Sequence, residues 1–110
     1  MKIYQKDTYT LITPTENSFD AFIAEFKEEN DLLYKNHTVI ELSDNLNSSE
    51  SDLSLFLNVA KKYKAKSFSF IIICDAVNMD EISEEINVVP TLLEAEDMLE
   101  MEAIERDLGF

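Results

Sequence analysis

Apolar residues along the chain fall into two spacings, and the chain switches repeatedly between them. Two short β-branched or aromatic runs, Lys2–Lys6 and Thr8–Thr13, predict a strand pair turned at Asp7, and Pro14 stops the second strand. Ser18 then stands before Phe19, Phe22, Ile23 and Phe26, a helical spacing behind a capping residue. Glu25, Glu28 and Glu29 fall mostly off that stripe, so the phenylalanines read as core. Residues 30–36 read as a loop or the frayed end of this helix. Thr38–Leu42 is a strand centred on Val39 and Ile40, and Ser43–Ser51 is a polar loop rich in turn formers. A helix is expected from about Ser51 to Tyr63, with Leu53, Phe56, Leu57 and Ala60 as its stripe. Lys61, Lys62 and Lys64 lie at its carboxyl end, where they complement the helix dipole. Ser67–Cys74 is the most hydrophobic run, and its continuity suits a central strand covered on both faces. Asp80–Ile86 reads as a short helix, and Val88–Pro90 as an edge strand, where proline is tolerated. Thr91 caps a last helix, with Glu94 placed to complete a capping box.

The order is ββ-α-β-α-β-α-β-α. Strands alternating with helices predict an α/β fold with a mixed, largely parallel sheet of four to five strands, about four helices and right-handed crossovers. At 110 residues without repeats or linkers, one domain spanning residues 1–110 is expected, long enough to bury a core without disulfide or metal.

Composition narrows the chemistry. One cysteine, one histidine and one glycine exclude a disulfide scaffold, a Cys/His zinc site and glycine-rich phosphate loops. Cys74 ends a buried strand and reads as a small hydrophobe, and His37 as a loop or packing residue. The net charge is −14, and 12 of the 23 acids follow residue 74, against the single base Arg106. That balance argues against direct nucleic-acid binding and against anionic membranes; it reads first as a solvated acidic surface, and a basic protein, or one that itself binds RNA or DNA, is the easier partner. The first residues lack the apolar stretch of a signal peptide, so a cytoplasmic protein with Cys74 reduced is expected.

The last helix carries two apolar stripes. At about 100° per residue, Leu92, Ala95, Leu99 and Ala103 share one face, suited to packing on the sheet. Leu93, Met101, Ile104 and Leu108 gather on another, broken by Asp97. A helix lying on a small sheet needs only one such stripe. The second either receives a partner helix or a second copy of the chain, or folds back onto the domain.

The stretch from His37 to Cys74 resembles the STAS domain of bacterial anti-sigma-factor antagonists. Ile40-Glu41-Leu42-Ser43 lines up with the end of that family's strand, and Leu53-Ser54-Leu55-Phe56-Leu57-Asn58-Val59-Ala60-Lys61-Lys62 with its following helix. Pro90-Thr91-Leu92-Leu93-Glu94-Ala95 resembles the family's final capped helix. The resemblance implies a non-catalytic regulator that binds another protein through the loop Ser43, Asp44, Ser49, Glu50, Ser51 and Asp52. The family's Asp-Ser-Ser-Gly falls on Ser49-Glu50-Ser51-Asp52, so its phosphorylated serine is replaced by Glu50. A carboxylate at a helix N-terminus imitates the phosphorylated state with less charge. Ser49 and Ser51 remain candidates for phosphorylation, and Ser48 and Ser49 also read as plain helix caps.

The tail, Val88–Ala95 running into Met101–Phe110, resembles the ending of small bacterial proteins associated with ribonuclease Z and sometimes given its name. Ribonuclease Z needs a histidine-rich metal site, and His37 is the one histidine here. A companion of that enzyme is therefore what the resemblance implies, not the enzyme. The expected partner is an anti-sigma-type regulator, ribonuclease Z or a second copy, bound through the loop and through Leu93, Met101, Ile104 and Leu108, with no cofactor and no resident metal. The alternative is a small acidic metal-dependent phosphoryl carrier or ligand-binding domain using Ser43, Asp44, Glu50 and Asp75 beyond the carboxyl ends of the strands.

Overall fold

The computed structural model describes residues 1–29, 35–42, 53–74 and 85–109. Five strands form one sheet in sequential order: β1 (Lys2–Gln5), β2 (Thr10–Thr13), β3 (Thr38–Glu41), β4 (Phe70–Ile73) and β5 (Asn87–Val89). β1 runs antiparallel to β2, and β2, β3, β4 and β5 are mutually parallel. This is the mixed, largely parallel α/β sheet that the alternation of spacings predicts. Three α-helices accompany it among the described residues: α1 (Phe19–Glu28), α2 (Leu57–Ala65) and α3 (Leu92–Asp107).

Alternation along each strand divides the core into two halves. Ile12, Ile40, Leu42, Phe70, Ile72, Cys74 and Val88 face α1 and α2. Leu11, Val39, Ile71, Ile73 and Val89 face the opposite side, against Ala95 and Leu99 of α3. Successive parallel strands joined by crossovers of one hand place α1 and α2 on one face. After the edge strand β5, α3 returns across the other.

The first half of the core is built on aromatic rings. Phe56 is fully buried, with the rings of Phe19, Phe26 and Phe70 each 5.7 Å away and Phe22 at 6.3 Å. The Phe19 and Phe26 contacts are edge-on, the favoured approach of two ring quadrupoles. Tyr63 stacks on Phe70 at 5.0 Å. Its hydroxyl meets Thr38 Oγ1 at 2.8 Å, so two buried polar groups satisfy each other.

Local signals set most boundaries as expected. Ser18 Oγ accepts the Ala21 N–H, and Thr91 Oγ1 accepts the Glu94 N–H. The first helical turn after Leu53 is a 3₁₀ turn, Ser54–Phe56, which leads directly into α2. α2 runs to Ala65, two residues beyond the expected end, because lysines and alanine favour helix. It closes with Ser67 in the left-handed region, at φ 64°, while the Phe68 N–H reaches back to the Tyr63 carbonyl at 2.9 Å. That is a Schellman closure with serine where glycine is usual.

Two expectations change. The helix expected over Asp80–Ile86 falls mostly outside the described residues, and Glu85 and Ile86 themselves form a turn before β5. Ile86 is buried in the aromatic half of the core, so it serves as a strand lead-in. Ala103, expected on the sheet-facing stripe, is exposed. Beyond Leu99 the inner side of α3 turns polar, with Glu102 and Arg106 over the amino ends of β5 and β4, and Ala103 lies off that line.

Candidate functional site

The sequence points to two surfaces, and the structure describes one. Ser43, Asp44, Ser49, Glu50, Ser51 and Asp52 lie outside the described residues, as does Asp75. Their described neighbours fix where the segments attach. Leu42 and Cys74 follow the carboxyl ends of β3 and β4, and Leu53 opens the next helix. All three are buried in the aromatic half of the core.

The second surface is the outer face of α3. Leu93, Met101, Ile104 and Leu108 are 69%, 54%, 55% and 66% exposed. The inner face is already filled: Ala95 and Leu99 are buried, and Leu92 and Met98 pack against the same cluster. Past Leu99 the line of Ala95 and Leu99 continues, one heptad on, as Glu102 and Arg106. These two are the polar anchors of the helix. Asn87 Nδ2 donates to Glu102 Oε2 at 3.0 Å, and Arg106 Nη1 donates to Ser69 Oγ at 3.3 Å. On the first turns, the Tyr9 hydroxyl donates to Glu96 Oε2 at 3.1 Å. Burial, and then the Glu96 carboxylate, hold the Tyr9 phenol above its ordinary pKa. α3 is thus pinned in rotation, with its second apolar stripe turned to solvent.

Polar groups gather at the amino ends of the parallel strands. Ser69 N–H donates to His37 Nδ1 at 2.8 Å, and the Phe68 ring meets the imidazole edge-on at 5.5 Å. An Nδ1 that accepts a backbone N–H is unprotonated, so the ring is neutral with its proton on Nε2. Burial and then the Arg106 charge lower the His37 pKa, and Glu102 opposes them. A cleft of about 400 Å³ lies beside this cluster, lined by Lys64, Ser67, Phe68, Glu102, Glu105 and Arg106. Its cations and carboxylates are interspersed, so it presents no field of one sign. A second hollow, of about 630 Å³, lies past Tyr9 and His37, towards Ala103.

No group of three or more His, Cys, Asp or Glu side chains able to hold a metal occurs among the described residues. Cys74 is buried at the carboxyl end of β4, and His37 lies before the amino end of β3, so the two belong to opposite ends of the sheet. No helix among the described residues is long and apolar enough to cross a membrane.

Sequence reasoning missed the anchors Glu102, Arg106, Asn87 and Ser69. One signal was present: Arg106 is the lone base in an acidic helix, placed in line with the buried stripe. The Tyr63–Thr38 pair had none, because it depends on strand register and helix rotation together. Comparison with protein-family models and with curated proteins gives no match for this chain.

Proposed function

We propose that the chain is a non-catalytic interaction module of STAS-like type, which regulates another protein by binding it. The observation that carries this reading is the outer face of α3, where four large apolar side chains stand exposed on a helix whose inner face is already packed. A soluble helix has no internal use for such a stripe, and apolar area turned to water is favourable to cover. The sequential sheet with one antiparallel edge supports the STAS-like reading, beside the motif matches at Ile40–Ser43 and Leu53–Lys62. In this reading Glu50 stands in for a phosphoserine, and the Ser43–Asp52 segment forms the second contact. The partner is an anti-sigma-type regulator or, from the likeness of the tail, ribonuclease Z, in the cytoplasm.

The test is capture of partners from the native cell extract by wild type, Ile104→Lys and Glu50→Lys, each checked for folding by circular dichroism. A protein held by wild type and lost by either folded variant supports an interaction module and identifies its pathway. If wild type holds nothing, the module reading fails, and the acidic ligand-binding alternative takes its place.

A further inference from the structure

The exposed face of α3 has a register. Asp97, Met101, Ile104 and Leu108 are separated by four, three and four residues, the alternation of a coiled-coil seam, and Leu93, four residues before Asp97, extends the same face. Three of the rim positions on one side are Glu96, Glu100 and Asp107, and on the other side lie Glu94 and Glu105. The seam is therefore apolar, acid-rimmed and interrupted once by a carboxylate. Exposures of 54% or more at its four apolar members show that the helix's own domain leaves it open. The hydrogen bonds of Glu96, Glu102 and Arg106 hold the face in a fixed orientation, so little ordering is lost when it is covered.

We infer that this seam receives an amphipathic helix of another protein, with leucine-like residues along its own seam, Lys or Arg at its flanks, and one Lys or Arg opposite Asp97. Charge decides the occupant. α3 carries seven acids and one base between Leu92 and Asp107. A second copy would set acidic rim against acidic rim. A parallel pair would oppose Asp97 to Asp97, and an antiparallel pair would bury it against apolar side chains. A basic partner instead pairs both rims and neutralises the seam carboxylate. A polar residue at one seam position is also the device by which coiled coils fix register.

This inference rests on the reading of the chain as an interaction module, and the two fail separately. A partner lost with Glu50→Lys but kept by Ile104→Lys would leave the module and remove the seam. The direct test uses a fluorescein-labelled model helix of about 21 residues, three heptads, with leucine along the seam, one lysine in it and lysine at the flanks. Anisotropy would be measured against full-length wild type, Asp97→Lys, Ile104→Ser, and Leu55→Ser, which alters an exposed leucine on another element. Wild type and Leu55→Ser should bind alike. Asp97→Lys and Ile104→Ser, folded by circular dichroism, should each bind at least about tenfold more weakly. The same peptide with glutamate at its flanks should not bind. Three results would overturn the inference: no binding of the basic peptide by wild type, equal binding of a basic peptide with its leucines scrambled, or wild type sedimenting as a dimer that Ile104→Ser dissolves.

Discussion

Phe56 is the residue on which the arrangement of α1, α2 and β4 turns, and replacing it tests that arrangement. It is fully buried, and four phenylalanine rings lie within 6.3 Å of its own. Removing the ring in Phe56→Ala loses its transfer free energy and leaves a cavity that four neighbouring rings cannot all enter. Such changes cost about 3–5 kcal/mol. Ring pairs add about 0.5–1.5 kcal/mol each beyond their area, so the upper end of that range is expected. A domain of this length holds about 5–15 kcal/mol in total. The variant should therefore fold, with little to spare, and melt roughly 20 °C lower, at several degrees for each kcal/mol lost.

Urea denaturation followed by far-ultraviolet circular dichroism measures the effect, read as a shift in midpoint at unchanged slope. Two companion variants make the comparison specific. Phe56→Leu keeps most of the volume and should cost about 1–1.5 kcal/mol. Leu55→Ala alters the preceding residue, which is 48% exposed, and should stay within about 0.5 kcal/mol of wild type. If Leu55→Ala costs more than Phe56→Ala, the segment is rotated relative to the structure and the reasoning fails. A loss below about 1.5 kcal/mol in Phe56→Ala would refute the closed aromatic cluster.

Other expectations are independent of that core. Ser67→Gly should stabilise the fold by about 0.5–1 kcal/mol, because residue 67 holds a left-handed conformation that glycine adopts without strain; no change in the urea midpoint would count against the Schellman closure. The double-mutant cycle of Thr38→Val and Tyr63→Phe should give a coupling of about 1 kcal/mol from the 2.8 Å hydroxyl pair, and additive losses would show the pair to be uncoupled. His37, the one histidine, gives a single imidazole signal by proton NMR, and it should titrate below the ordinary value of about 6.5. Since the folded state resists protonation while the unfolded chain accepts it, the stability tied to His37 is whole above about pH 6.5 and is lost as pH falls from there through the folded-state pKa. His37→Gln should remove that part of the pH dependence, and a His37 signal titrating above 6.5 would contradict the Nδ1 acceptor role.

Much of the fold was legible because its elements carry one signal each. The phenylalanines of α1 repeat at helical spacing, β4 is continuously apolar, and Ser18 and Thr91 are capping residues that cap. Legibility fell where an element does two things at once. The inner face of α3 changes from apolar to polar after Leu99, as the helix passes from the sheet onto the Ser69–Asn87 edge. Read by periodicity alone, Ala103 looks like a core position but is exposed, whereas Arg106, on the line of Ala95 and Leu99, is half-buried and anchors the helix. The helix expected over Asp80–Ile86 lies mostly outside the described residues; of its last two residues, Ile86 is buried as the lead-in to β5, and a buried isoleucine suits a helix stripe equally well. The loop expected to bind a partner, Ser43–Asp52, was read from resemblance rather than from spacing, and it lies outside the described residues.

The division of labour along α3 also explains how an acidic helix can be firmly seated. Against the sheet, seating comes from Ala95 and Leu99, which need no charge. Over the amino ends of the strands it comes from Arg106, which reaches Ser69 beside His37, and from Glu102, which accepts from Asn87 of β5. The acids that border the outer stripe, Glu94, Glu96, Glu100, Glu105 and Asp107, would on the proposed reading oppose a like helix and favour a cationic one. Arg106→Ala should therefore do more than remove one charge. It should loosen the last turns of α3, raising amide exchange from Ile104 onward while leaving the turn at Ala95 protected. Exchange that rises uniformly along the helix, or not at all, would mean that Arg106 does not anchor those turns.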